Sequence, residues 1–303
     1  MTAAVDLDRA SGMARARRRA DGVAPLSRVH ATFGLRFTEV SDGTATVACA
    51  LSPWLVDVTG HVAAGIAAVV ADSALGTALL TTMPAGRSIM TSQLRIDHLA
   101  PITPLSGELH ATAHVEDLAS ASPLVVAEVR DDTGLRVASA SARCMTVIGH
   151  GELLAPLPPV GPTILDPGGA EALAAMRRGE GPPPFERFLQ ATTTLESGAT
   201  VLHVPAVPGF ANVFGGMQGG ALALLAEQAM GAMARAAARP GGELMPVDLQ
   251  VTYIRPALTD QRPVALRAHV VRSGGRVVDT ACEVHAGTGV VAVARGSHLR
   301  VVA

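Results

Sequence analysis

Residues Asn212–Glu227 read NVFGGMQGGALALLAE, and 155 positions earlier residues Asp57–Asp72 read DVTGHVAAGIAAVVAD. The two stretches differ in most letters but share their punctuation. Gly60 matches Gly215, Gly65 matches Gly220, and an acid closes each stretch, Asp72 in one and Glu227 in the other. The shift holds outward in both directions. Phe33 meets Phe188, Gly43 meets Gly198, Leu94 meets Leu249, Pro101 meets Pro256, and Ala113-His114-Val115 meets Ala268-His269-Val270. Chance does not keep one register through so many glycines and prolines, so the chain is one domain written twice.

Each half has the same plan. A strand follows a Gly turn (44–51 and 199–206), and a glycine-bearing loop leads into an apolar helix (about 62–82 and 217–237). Strands with period-two character come next (90–101 and 245–256), then 106–118 and 123–131 in the first half, and a last strand pair closes each half. One long helix with four or five antiparallel strands predicts an α+β domain with the sheet wrapped on the helix. The expected layout is a basic arm over 1–24, domains over 25–149 and 185–303, and a Pro/Gly-rich linker over 150–184. Within that linker GAEALAAMRRG has the composition of a short helix. The basic stretch RASGMARARRR (9–19) reads as a solvated, partly disordered tail.

Bulk composition narrows the function. A net charge of −2 argues against nucleic acid as the main partner. Apolar residues are 49% of the chain but aromatics only 3%, so the cores must be built of Ala, Val and Leu. The longest apolar stretch, 62–80, contains Asp72 and several small residues, and reads as a buried helix rather than a membrane span. No apolar run of signal-peptide type follows the basic arm. Cys49, Cys144 and Cys282 are scattered without a CxxC pair, which indicates neither zinc nor a disulfide framework and points to a reducing, cytoplasmic setting. With no GxGxxG, P-loop or zinc motif, no cofactor and no metal is expected.

Two features carry chemistry. Asp72 and Glu227 each sit alone in an apolar helix, where a carboxylate is costly unless it is paired or its pKa shifts. The helix start Gln218-Gly219-Gly220 offers free backbone N–H groups at the positive end of the helix dipole. Gly219 and Glu227 are eight residues apart, about 12 Å at helical rise, so they cannot act on one atom from the same helix. If the halves pair around a pseudo-two-fold with helices side by side, the N-terminus of one helix meets the mid-helix acid of the other.

The pattern Asn-x5-Gln-Gly-Gly-x6-Glu, followed by a strand ending Tyr253-Ile-Arg-Pro-Ala257, resembles the hotdog-fold acyl-CoA thioesterases of the phenylacetate-degradation and 4-hydroxybenzoyl-CoA type. The resemblance covers about 30–148 and 185–303. It implies two tandem hotdog domains forming an intramolecular pseudo-dimer, further assembly into a homo-oligomer, and an acyl-CoA substrate. In that family one subunit binds the thioester carbonyl and the other supplies the acid. Carried over, Asn212, Gln218 and Gly219 would bind the carbonyl, with Asp72 and Thr91 as acid and hydroxyl. Asp72 would serve as general base or as nucleophile. The opposite composite departs from the pattern. Its acid is Glu227, but Asp57 stands at the Asn position, Ala64 at the first Gly, and Pro246 at the hydroxyl. One working and one degenerate site are therefore expected.

Two alternatives belong to other classes. Asp57-Val-Thr-Gly-His61 is a near match to the loop of hotdog-type enoyl-CoA hydratases, and loss of one site is compatible with a non-catalytic acyl-CoA-binding protein. Arg87, Arg95 and Arg255 are candidates for the CoA phosphates, since guanidinium forks suit phosphate. Trp54 reads as a hydrophobic anchor.

Overall fold

The structure, a computed structural model, describes residues 10–24, 26–103, 107–148, 162–205, 208–238, 242–259, 263–287 and 289–301. The first half contributes strands β1 (Leu35–Ser41), β2 (Thr44–Ala50), β3 (Arg87–His98), β4 (Glu108–Asp117), β5 (Leu124–Asp131) and β6 (Arg136–Ile148). The second contributes β7 (Thr192–Glu196), β8 (Ala199–Val204), β9 (Glu243–Tyr253), β10 (Val264–Ser273), β11 (Val277–Ala286) and β12 (Gly289–Val301). The helices are α1 (Gly12–Ala20), α2 (Arg28–Thr32), α3 (Ile66–Thr81), α4 (Gly169–Arg177), α5 (Pro184–Leu189) and α6 (Gly219–Ala237).

All twelve strands form one antiparallel sheet in the order β1-β2-β4-β5-β6-β3-β9-β12-β11-β10-β8-β7. Read from either edge the order is the same, so the repeat in sequence is a repeat in topology. Each half has six strands, more than the four or five expected. Residues 35–41 and 192–196 are the strands missing from that expectation, and each turns into the next through Gly43 or Gly198 at positive φ. The halves meet where β3 pairs with β9, with Arg95 opposite Gln250. The shift that relates the halves also carries position 95 onto 250, so this pair lies on the pseudo-two-fold.

α3 and α6 each pack on their own half-sheet and on each other. α3 is buried nearly all round, as its uniformly apolar sequence requires. The helices approach closely because of one glycine in each. A Cβ on Gly220 would lie 2.3 Å from the Ala68 carbonyl oxygen, and one on Gly65 would lie 2.8 Å from Leu224 Cα. These two positions are repeat partners, so the same close approach is made twice.

The basic stretch is not a solvated tail. Ser11 caps α1 by accepting from the Ala14 N–H, Gly12 N–H donates to the Met83 carbonyl at 2.9 Å, and Arg15 donates to the Arg87 carbonyl. Arg15 and Ala16 are buried against the end of α3. What the composition hid is that alternate small and basic residues give this short helix one face that can pack. Residues 1–9 of the arm, and 150–161 of the expected linker, lie outside the described residues. The rest of the linker is built on Trp54. α4 is the short helix anticipated there, a Cβ on its Gly169 would touch the indole at 3.0 Å, and Trp54 Nε1 donates to the Asp166 carbonyl at 2.9 Å. Trp54 is an anchor, as read from sequence. Among the described residues no helix is long and apolar enough to cross a membrane.

Candidate active site

Side-by-side helices create two composite centres related by the pseudo-two-fold. At the first, Asp72 of α3 meets the start of α6. Its Oδ2 accepts from the Gly220 N–H at 2.9 Å and its Oδ1 accepts from the Thr91 hydroxyl of β3 at 3.1 Å. The donor is thus Gly220, not Gly219. The Gly219 N–H has no acceptor among the described residues, while a Cβ there would sit 3.2 Å from Asp72 Oδ2 and 3.1 Å from the Tyr253 hydroxyl. Burial raises the Asp72 pKa, opposed by the Gly220 N–H and the Thr91 hydroxyl. Gln218 spans the interface, donating through Nε2 to Ser73 Oγ at 2.7 Å and to the Val69 carbonyl at 3.3 Å. Its Oε1 is buried with no partner among the described residues.

Asn212 has a structural role that its side chain does not reveal in sequence. Its Oδ1 accepts from the Phe214 N–H at 2.9 Å, and its repeat partner Asp57 accepts from the Thr59 N–H at 2.8 Å in the same way. Both residues therefore close an Asx turn ahead of the helix. The Asn212 amide nitrogen is left over from that turn. Sequence reading also passed over Tyr253, which donates to the Gly219 carbonyl at 2.7 Å and braces the helix start. Burial, then the charge of Asp72, lifts the Tyr253 pKa well above 10.

At the second centre Glu227 takes the place of Asp72, and its surroundings differ. His98 Nε2 stands 2.8 Å from Glu227 Oε1, with both side chains 6% exposed. The contact is an ion pair off the line of a hydrogen bond, and neither Glu227 oxygen receives a hydrogen bond among the described residues. Burial pulls the His98 pKa down most strongly of any single cause, but contact with Glu227 and the charges of Glu227, Asp248 and Asp97 together outweigh it, and the net shift is upward. His298 is 4% exposed, and burial lowers it to about 4, so it stands neutral beside the pair. These groups line a cavity of about 340 Å³ together with Asp57, Ala64 and Arg235. Asp72, Thr91, Asn212, Gln218 and Gly219 do not line it.

Pro246 lies on the cavity wall where the repeat would place a hydroxyl. The pair implied by the hydratase-type alternative is not assembled. Asp57 is turned onto Thr59, and His61 Nε2 faces Glu243 at 3.6 Å. His98 was legible in principle: the 155-residue shift pairs it with Tyr253. Of the arginines considered for CoA, Arg95 is paired with Asp97 at 2.7 Å, and Arg255 Nε donates to the Val290 carbonyl at 2.9 Å. Cys144 lies opposite Thr91 across β3 and β6, and burial pushes its thiol up to about 12.

Comparison with known proteins adds two kinds of finding. Residues 214–293 match the thioesterase superfamily, and residues 23–147 match a family described only as a domain of unknown function, DUF4442. The fold is similar to that of a TesB protein of Mycobacterium avium subsp. paratuberculosis, at 15% identity and TM-score 0.57, covering 90% of this chain and 98% of that one. It is also similar to acyl-CoA thioesterase II TesB2 of Mycobacterium marinum, at 13% identity and TM-score 0.55, covering 91% and 98%. These likenesses show a shared double-hotdog architecture. No curated protein sequence matches the chain.

Proposed function

We propose that this double-hotdog protein, whose second half is a thioesterase-superfamily domain, hydrolyses acyl-CoA thioesters to free acid and CoA at the Asp72 centre. The observation that carries this reading is the Asp72 carboxylate held 2.9 Å from an N–H of the first turn of the other half's helix, with Thr91 on its second oxygen. A thioester is already activated and its thiolate leaves readily, so a base and an oxyanion donor suffice.

The Gly219 N–H, at the positive end of α6, is the donor left free for the developing oxyanion, a role commonly worth about 10²–10³ in rate. Asp72 removes a proton from the attacking water. Both of its oxygens already accept a hydrogen bond, which favours water activation over direct attack on the carbonyl. Gln218 Oε1 supplies a second acceptor for that water, and the free Asn212 amide orients the thioester.

The test is Asp72→Asn against Glu227→Gln, assayed by CoA release across a panel of acyl-CoAs. The expected loss for Asp72→Asn is about 10²–10⁴-fold, with Glu227→Gln within two-fold of the parent. The reverse result moves the thioester chemistry to the Glu227 centre.

A further inference from the structure

The Glu227 centre has lost the family pattern at three positions, yet it is not filled in. Its cavity of about 340 Å³ has the size of a small-molecule site. Three side chains that are nine-tenths or more buried reach it: Glu227, His98 and His298. Neither Glu227 oxygen and not the Nδ1 of His298 has a hydrogen-bond partner among the described residues. Unmet polar groups of this kind are rare in folded interiors and call for an occupant. Apolar wall comes from Val62, Ile102, Met245 and Val247. Next to the acid lies the start of α3, where the N–H groups of Ala64 and Gly65 have no acceptor among the described residues. Glu227 Oε2 is 2.6 Å from where a Gly65 Cβ would stand, so the carboxylate lies against the turn that leads into α3.

The two centres differ in one chemical capacity. Near Asp72 the phenol of Tyr253 already donates its proton to the Gly219 carbonyl, and burial raises its pKa further, so it is not placed as an acid for a leaving group. A thiolate needs none, since a thiol ionises near 8.5. An alkoxide does need one, because alcohols ionise near the value for bulk water, about 15.7. At the Glu227 centre a base and an acid stand 2.8 Å apart. The Glu227, Asp248 and Asp97 charges favour the imidazolium of His98, and Asp57, His298 and Arg235 also face the pair.

We propose that the Glu227–His98 cavity is a second catalytic centre, which hydrolyses oxygen esters of small acyl groups. Glu227 takes a proton from water as the water oxygen bonds to the acyl carbon. The oxyanion so formed rests on the N–H of Ala64, which lines the cavity. The carbon–oxygen bond to the alcohol then breaks, its electron pair leaves with the alkoxide oxygen, and His98 gives that oxygen its proton. The proton on Glu227 passes to His98 and restores the starting state, so one water yields one acid and one alcohol. The inference goes beyond the thioesterase reading and does not depend on it.

The experiment uses the full chain with ethyl butanoate, followed by acid release in a pH-stat, and with butanoyl-CoA, followed by thiol release. Glu227→Gln and His98→Asn are expected to lower ester hydrolysis by at least ten-fold, while thiol release by the same samples stays within two-fold and serves as the folding control. Asp72→Asn is expected to do the opposite. Ester turnover no faster than buffer, ester turnover unchanged in both Glu227→Gln and His98→Asn, or its loss in Asp72→Asn, would each overturn the proposal. If butanoyl-CoA is not hydrolysed by the parent, the thioesterase reading falls. The ester result then still stands by itself, with the melting temperature as folding control.

Discussion

The Asp72 and Glu227 centres occupy the same place in the same repeat, yet one is closed on itself and the other is open. Asp72 accepts from a backbone N–H and a hydroxyl, and neither of these is a cation. Glu227 has a histidine beside it and no hydrogen bond to either oxygen. The difference arises at three exchanges. Thr91 corresponds to Pro246, Tyr253 to His98, and Asn212 to Asp57. A duplicated domain needs each half to keep only its share of one site, so the opposite share is free to acquire other groups. Sheet order is the same in the two halves, and the backbone differs at the helix start, where α6 begins at Gly219 and α3 only at Ile66, the repeat partner of Ala221.

The sharpest way to break the comparison is through stability. Asp72 has a raised pKa, so its ionised form is disfavoured in the folded state. The folded protein is therefore relatively more stable below the unfolded pKa, and loses that margin as pH rises toward the folded value. Removing the charge with Asp72→Asn should raise the melting temperature at neutral pH while abolishing turnover. Glu227→Gln should act in the opposite sense. It takes the counter-charge from His98, and removing one partner of a buried ion pair costs about 3–5 kcal/mol. Because the His98 pKa is raised, that loss should be full below about pH 6.5, the ordinary value for histidine, and fade as pH rises through the folded value. Thermal unfolding of both variants across pH decides it, and shifts of the same sign would mean that the two acids are equivalent after all.

A second comparison tests what the two centres share. Gly65 and Gly220 make the same close approach between α3 and α6, so Gly65→Ala and Gly220→Ala should destabilise by similar amounts, about 1–3 kcal/mol each or somewhat more. Denaturant midpoints at constant slope would measure this. A much smaller cost at one of them would show that its glycine serves ligand approach rather than helix packing.

The repeat, the two long helices and the α+β class were legible because glycines, prolines and buried acids keep a fixed register whatever lies between them. The strands at 35–41 and 192–196 were not. Strand β7 is exposed along its length, so burial imposes no alternation on it. The helix at 12–20 was hidden for a related reason, since Arg15 is buried through its contact with the Arg87 carbonyl, 72 residues away. In the candidate sites Asp72 and the glycine pair stood out from their place in the helices, while Thr91 followed only from the family resemblance. Which glycine donates could not, because the first two N–H groups of a helix differ only in direction. Asn212 and Asp57 looked like opposites in charge, yet both close the same turn. His98 carries no signal in its own half and is marked only by standing at the repeat position of Tyr253, whose role is itself visible only in the fold.

The smallest expected effect bears on the hydroxyl. Thr91 donates to Asp72 at 3.1 Å and does not itself touch the carbonyl in this arrangement. Its contribution is to hold the carboxylate, so Thr91→Val should lower kcat for acyl-CoA by about ten-fold, equivalent to about 1.4 kcal/mol, with KM little changed. Thr91→Ser should recover most of the loss, which a purely packing role would not allow. The mirror change, Pro246→Thr, places a hydroxyl at the matching position beside Glu227. If the missing hydroxyl alone made that centre inert to thioesters, this variant would release CoA in an Asp72→Asn background. The expected outcome is release that stays well below the parent rate, because Asp57 faces the cavity at the place of Asn212 and Glu227 is paired with His98. Restoring one letter of the pattern leaves the charge around the acyl carbon unchanged, and that charge is what separates the two centres.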